Sequence, residues 1–436
     1  MKRRLHVRAA DLRGAARLAT DATAGLTDLV EAVHERIARF AQLPGFGAPA
    51  APGRTGGITG LVYKSIRGVA RGVGSSVDAL LARLTPALAP GGSDHGAALP
   101  SAEREAIVAA LNGVLGDHLA ATDNPLASAM ALRSEGRALV LENAALKLRL
   151  PSAGTRLVVL LHGLCMNDLQ WRRKGHDHGA ALAHDCGYTP VYLHYNSGLH
   201  ISANGLELAG MLQRLLDAWP QPLERVVLLG HSMGGLLARS ALHQGALAGQ
   251  AWGSRISDLV CLGTPHHGAP LERAGHGIDV LLDAAPYAAP FARLGKLRSA
   301  GITDLRHGNL LEGDWAGADQ FARGADRRLP VPLPAATRCH ALAASLGTEA
   351  GDLEGRPVGN LRSRIVSNLE RRLVGKLKRR FVGDGLVPLD SALGRHEDPA
   401  RTLGFPAERQ WTGHGMNHLD LLSRPEVYAQ LRAWLL

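Results

Sequence analysis

The stretch that most constrains this chain is Leu228-Leu229-Gly230-His231-Ser232-Met233-Gly234-Gly235. The apolar run at 225–229 ahead of it has the length and content of a buried strand, and 236–241 behind it reads as a helix. A strand joined to a helix through Gly-x-Ser-x-Gly needs a very sharp turn. The serine sits in a sterically costly backbone conformation, and its neighbours must be almost free of side chain. Gly230 and Gly234 meet that need. The helix that follows turns its free N–H groups and positive dipole end toward the serine. Ser232 is therefore the candidate nucleophile, and the N–H of Met233 a candidate donor to an oxyanion.

The rest of the pattern must supply a sheet for that turn. Apolar runs at 155–161, 190–195, 225–229, 258–262 and 339–346 alternate with helical periodicity at 179–184 and 206–219. That alternation predicts an α/β fold, with a mostly parallel, doubly wound sheet covered by helices on both faces. Two short runs, 138–142 and 146–150, are expected to open it as paired strands, the second alternating cleanly. The catalytic domain is placed at 136–436. Residues 269–334 break the alternation and read as a helical cap insertion, with helix-like pieces at 280–282 and 291–297. A last strand is expected within 401–411 and a closing helix over 419–436.

Residues 1–135 form a helical N-terminal extension. Its helices are expected at about 9–42, 58–84 and, capped by Ser101, from 101 onward, with linkers near 44–57 and 86–100. Two readings stay open for it: an appendage packed on the main domain, or a membrane-facing or partner-binding module.

At 436 residues the chain exceeds one small core. A hydrophobic share of 46% with 20% charged residues describes a globular protein. No run of about 20 uncharged apolar residues occurs and no apolar core follows the basic N-terminus, so the expected location is the cytoplasm. The four cysteines are scattered and apolar in context, which reads as buried free thiols. The net charge of +10 permits an anionic surface as partner, yet no nucleic-acid motif accompanies it, and no nucleic acid is expected. The basic stretch 361–381 carries Leu361, Ile365, Leu369, Leu373, Leu377 and Phe381 at every fourth position; it is either a helix packed by its leucines or, like the cap, a face toward anionic lipid, peripheral to a membrane.

A serine hydroxyl needs a base, and the base an orienting acid. In a doubly wound sheet both arrive on loops at the strands' carboxyl ends, in the order Ser, acid, His. Asp384, between two glycines, is the best acid; Asp352, Asp390 and Asp398 are rivals, while Asp258 precedes its strand and lies at the wrong end. His418 is the preferred base because a helix would hold it steady. His414 is the alternative, and His396 comes before the last strand. The strand at 155–161 runs into His162-Gly163-Leu164, which puts the Leu164 N–H in place as the second oxyanion donor, with His162 shaping the loop.

Five motifs in this order, 160–164, 230–235, 263–268, 383–388 and 417–420, resemble the α/β-hydrolase superfamily. They are similar in particular to bacterial triacylglycerol lipases and GPI inositol-deacylase-like serine esterases. The resemblance covers about 136–436. It implies Ser232 as nucleophile, Asp384 as acid, His418 as base, and the Leu164 and Met233 backbone as oxyanion hole. It implies hydrolysis of a carboxylic ester, small or lipid, through an acyl-enzyme, with no cofactor. An acyltransferase sharing that intermediate, or a binding module without catalysis, is the competing reading. Some such lipases hold calcium near Asp420, but the second acid expected before the acid loop is replaced here by the basic 361–381 stretch, so no metal is expected. Neither His176-Asp177-His178 nor His266-His267 has a third ligand at metal spacing.

Overall fold

The computed structural model describes residues 8–41, 57–88, 101–269, 299–317, 326, 328–347 and 383–436. The expected linker at 44–56, the helical pieces at 280–282 and 291–297, Asp352 and the basic stretch at 361–381 lie outside the described residues. The described chain divides into two compact units, Met1–Arg104 with His118–Ala127, and Glu105–Asp117 with Ser128–Leu436.

The first unit contains α1 (Ala9–Ala41) and α2 (Gly57–Leu88). Asp78 on α2 takes both Arg13 and Arg17 of α1, with Nε to carboxylate distances of 2.7 and 2.6 Å. Those guanidinium groups, Arg17 foremost, hold the Asp78 carboxyl well below its ordinary range. Arg67 bridges Asp28 and Glu31 in the same way. Helix α2 continues through Pro86, where a linker is expected from sequence, and ends at Leu88. Its Val62, Ile66, Val69 and Val73, at helical spacing, are exposed. Ser101 caps α3 (Ala102–Ala121) by accepting from the Arg104 N–H, as its position before Glu103 and Arg104 predicts. The ends of α3 belong to the first unit and its middle to the second.

The second unit is built on one eight-stranded sheet in the order β2-β1-β4-β3-β5-β6-β7-β8. The strands are β1 (Ala131–Ser134), β2 (Arg137–Ala138), β3 (Arg156–Leu161), β4 (Tyr188–His194), β5 (Arg225–His231), β6 (Asp258–Leu262), β7 (Arg338–Ser345) and β8 (Gln410–His414). From β4 to β8 all neighbours are parallel, while the β1–β2 hairpin joins β4 antiparallel at the edge. This is the expected α/β architecture. Each central strand is apolar on both faces because helices cover both. Val158, Leu160, Val227, Leu229, Val260 and Leu342 form one core with Leu431 and Leu435 of the last helix.

Three expectations need correction. The opening strands are not 138–142 and 146–150. The hairpin lies earlier, turning at Glu135 and Gly136, both at positive φ, and Asn143–Arg149 is helix α4. The alternating leucines mislead because Leu146 and Leu150 share a helical face that is buried, while Leu148 is 86% exposed. With β1 paired to β4, the sheet-bearing unit also starts upstream of the 135/136 division. The last strand begins only at Gln410 and runs to His414, beyond the expected 401–411. The closing helix is interrupted: a 3-10 turn, Asp420–Leu422, precedes the helix Pro425–Leu435, because Pro425 suits the first position of a helix and not its interior. His418 thus sits in a turn ahead of the helix.

The remaining helices are α5 (His178–Cys186), α6 (Ile201–Ala218), α7 (Met233–Leu247), α8 (Ala300–His307), α9 (Leu389–Ala392) and α10 (Pro425–Leu435). Of the cap region, α8 is among the described residues. The four cysteines are buried and free. His178, at the start of α5, donates from Nε2 to the Leu421 carbonyl at 2.8 Å, and its Nδ1 accepts from His176 Nε2 at 2.8 Å. Asp177 caps α5 and accepts from Tyr192. The histidine motif is thus taken up in structure.

Two predictions follow from these contacts. Leu146→Ala should lower the unfolding free energy by about 2–5 kcal/mol, as deletion of a buried leucine does. Leu148→Ala should change it by less than about 0.5 kcal/mol; chemical denaturation of both variants measures the contrast. Burial pushes the His178 pKa down to about 4. The unfolded chain therefore binds a proton there that the folded chain refuses between roughly pH 6.5 and 4. That contribution to stability is complete above this window and is lost as pH falls through it. Thermal unfolding across pH 7 to 4 should show a stability slope that His178→Gln reduces by about one proton at most.

Candidate active site

The elbow follows β5. Ser232 has φ 54° and ψ −122°, a conformation rare for a residue with a side chain. Two backbone hydrogen bonds hold it there: Ser232 N–H to the Leu262 carbonyl at 2.8 Å, and Gly235 N–H to the Ser232 carbonyl at 3.1 Å. A Cβ on Gly230 would lie 2.5 Å from the Gly235 nitrogen, and one on Gly234 2.1 Å from the Leu161 carbonyl oxygen. Both glycines are therefore obligatory, for reasons of close approach. Helix α7 begins at Met233, so its first N–H has no partner within the helix and faces the serine end of the turn.

The loop after β3 supplies the other candidate donor. It is held by the Cys165 N–H on Ser197 Oγ at 3.0 Å and by Met166 N–H on the Gly163 carbonyl at 3.3 Å. Cys165 itself has φ 60°. His162 donates from Nδ1 to the Gly163 carbonyl at 2.9 Å and stacks on Tyr195, whose hydroxyl donates to the His162 carbonyl. Burial pushes the His162 pKa down to about 3, so it stays neutral. It shapes the loop, as expected. Among the described residues the Leu164 N–H takes part in none of these backbone hydrogen bonds.

Asp384 is fully buried in a tight turn closed by the Gly383–Pro388 bridge. Its Oδ1 accepts from the N–H groups of Leu386 at 3.0 Å and Val387 at 2.8 Å. Its Oδ2 accepts from His418 Nδ1 at 2.6 Å, and its carbonyl from the His418 N–H at 3.1 Å. Since a carboxylate only accepts, Nδ1 carries the proton of that bond, and the tautomer it selects has its lone pair on Nε2. Gly263 has φ 58°, and a Cβ there would come within 3.1 Å of the His418 ring.

Ser232 and His418 line one cleft with Gly163, Leu164, Met166 and His231. Its other walls, Ala269, Leu305, Leu386, Val387 and Leu419, are apolar. The hydrogen bonds of the described residues join His418 to Asp384 but do not reach Ser232 Oγ. A looser serine–imidazole contact is common before substrate binds.

The rivals lie elsewhere. Asp258 starts β6 at the opposite end of the sheet, held by Arg225, Arg338 and His340. Asp390 lies in α9 with Arg395 at 3.7 Å, and Asp398 caps a 3-10 turn. His396 approaches Asp326 at 3.6 Å, and neither it nor His414 lines the cleft. Asp420 opens the 3-10 turn behind His418. Its Oδ2 accepts from the Asn417 N–H at 3.1 Å, and its Oδ1 from Lys174 Nζ at 3.0 Å. An ammonium and an N–H engage both oxygens, which suits a turn and not a cation's ligand set. Among the described residues no group of three or more His, Cys, Asp or Glu is placed to hold a metal.

One contributor escapes sequence reasoning. His231 is buried beside the serine, donates from Nε2 to the His418 carbonyl at 3.2 Å, and packs its ring 4.7 Å from the His418 ring. It ties the end of β5 to the turn carrying the imidazole. Its position before Ser232 was the available signal.

Residues 153–326 match the PGAP1-like alpha/beta domain family. No curated protein matches the chain. Among solved structures it is similar to the mature lipase BlEst2 of Bacillus licheniformis, at 19% identity over 64% of this chain and 92% of that one, with a TM-score of 0.38. It is also similar to EstA of Clostridium botulinum, at 15% identity over 65% and 87% with a TM-score of 0.34. A third is the lipase of Staphylococcus hyicus, at 14% identity over 65% and 95% with a TM-score of 0.33. No described helix is long and apolar enough to cross a membrane. By its sheet order and the elbow after β5 the chain has an α/β-hydrolase fold, and its residues 153–326 are similar to the PGAP1-like alpha/beta domain.

Proposed function

We propose that this chain is a serine hydrolase of carboxylic esters, working through an acyl-enzyme on Ser232. The observation that carries the reading is the Asp384–His418 hydrogen bond at 2.6 Å, with the second carboxylate oxygen already saturated by two backbone N–H groups. That arrangement orients a neutral imidazole with Nε2 available as base, in the cleft that also holds an elbow serine.

In this reading Ser232 Oγ attacks the ester carbonyl carbon while His418 Nε2 takes its proton. The tetrahedral oxyanion is met by the Leu164 and Met233 N–H groups, which are preorganised and need no reorientation during the step. Collapse breaks the ester C–O bond, and His418 returns the proton to the departing alcohol. Water, deprotonated by His418, then attacks the acyl-serine and releases the acid. Asp384 stays ionised throughout and stabilises the imidazolium. The apolar walls of the cleft support an acyl chain as the group held beside Ser232.

The test is hydrolysis of p-nitrophenyl esters from acetate to palmitate, with fluorophosphonate labelling. Wild type should turn over and label. Ser232→Ala should lose labelling and at least about 10³-fold in kcat, and Asp384→Asn up to about 10⁴-fold as the imidazole takes the wrong tautomer. Equal labelling of wild type and Ser232→Ala would overturn the assignment. Turnover that diverts to ester or amide when alcohols or amines compete would identify an acyltransferase with the same intermediate.

A further inference from the structure

A second cavity, of about 290 Å³, shares no lining residue with the Ser232 cleft. It lies between α7, the loop after β6 and the segments 328–333 and 400–404, and its polar lining includes Arg239, His266, His267, Arg328, Arg401 and Asp314. Its size is at the lower end for small-ligand pockets, about 300–1,000 Å³.

Arg239, in the middle of α7, is 4% exposed. Its Nη2 donates to the Val331 carbonyl at 2.6 Å and its Nη1 to His266 Nδ1 at 3.2 Å, while Nε has no acceptor among the described residues. Among the described residues no carboxylate pairs with it. Asp326 is bound to Arg328 and Arg401. Asp314 spends its oxygens on the backbone N–H groups of Leu310, Leu311 and Leu329. A guanidinium buried without a counter-charge is costly, and among the described residues none compensates it.

His266 repeats the deficiency. A guanidinium only donates, so His266 Nδ1 must accept from Arg239 and the ring proton is on Nε2. That Nε2–H is buried and also lacks an acceptor among the described residues. Burial and the neighbouring Arg239 charge push the His266 pKa well down, which keeps the ring neutral. Burial lowers the Arg239 pKa to about 10, which leaves it charged at neutral pH. Both unsatisfied groups are donors, and one carries a charge. A water would accept from one of them but would not neutralise the cation.

We propose that this cavity is a binding site for a small anion, a phosphate group in the first instance, recognised by Arg239 and His266. A phosphate in the cavity offers the negative charge that Arg239 lacks among the described residues. The same chemistry is presented by free phosphate and by a lipid headgroup. The proposal stands apart from the ester-hydrolysis reading.

The experiment is calorimetric titration of the full chain with inorganic phosphate, with thermal unfolding in phosphate against chloride at matched ionic strength. Saturable binding and a rise in Tm specific to phosphate are expected. Arg239→Met should weaken binding at least tenfold, His266→Phe should weaken it measurably, and Arg255→Gln on the surface should not. A phosphate response of wild type no larger than that of chloride would overturn the site, whether or not the Arg239 variant folds. Unchanged phosphate affinity in a folded Arg239→Met would also overturn it. Parallel titration with glycerol 3-phosphate and monomeric dibutyryl phosphatidylglycerol separates the sources: tighter binding of the lipid assigns a headgroup, tighter binding of inorganic phosphate assigns the free ion.

Discussion

The hydrogen bond from the Ser232 N–H to the Leu262 carbonyl fixes the backbone conformation on which the site is built. It pins the elbow residue to the end of the neighbouring strand, so the positive φ of Ser232 is paid for by the β5–β6 pairing below it. Were Ser232 to relax to an ordinary conformation, the turn would open and α7 would no longer start beneath the serine. Gly230 and Gly234 are consequences of the same constraint. The chain passes so close to itself and to Leu161 that no side chain fits.

The loops above the sheet are ordered mainly by polar side chains meeting backbone groups. Asn196 Nδ2 donates to the Gly116 carbonyl, Ser299 Oγ to the Gly113 carbonyl, and Ser197 Oγ accepts from Cys165. Asp304, fully buried on α8, gathers His200, the Ile201 N–H and Asn309 on its two oxygens. These bonds connect the loop after β3, the loop after β4 and the described part of the cap. Such networks give a single loop geometry because a buried polar group left unpaired is costly.

Much of the fold was legible in the sequence. The central strands are continuous apolar runs of strand length, and α6 carries a clear helical period, so local pattern sufficed. It failed where two patterns coincide. Leu146, Leu148 and Leu150 alternate like a strand, yet their neighbours favour a helix in which Leu148 faces water. It failed again at the C-terminus, where Pro425 rather than apolar spacing decides where the helix starts.

What the sequence by itself determined is the elbow and its order in the chain, because a Gly-x-Ser-x-Gly between strand and helix is a local steric requirement. Local sterics are written in adjacent residues. What only the tertiary structure decided is which acid meets which histidine. Asp384, Asp390 and Asp398 are all plausible on loops, as are His414 and His418. Asp384 and His418 are 34 positions apart and meet because β7 and β8 are neighbours whose carboxyl ends open on the same side. Sheet order sets that encounter, and sheet order is a property of the whole core, not of any short stretch.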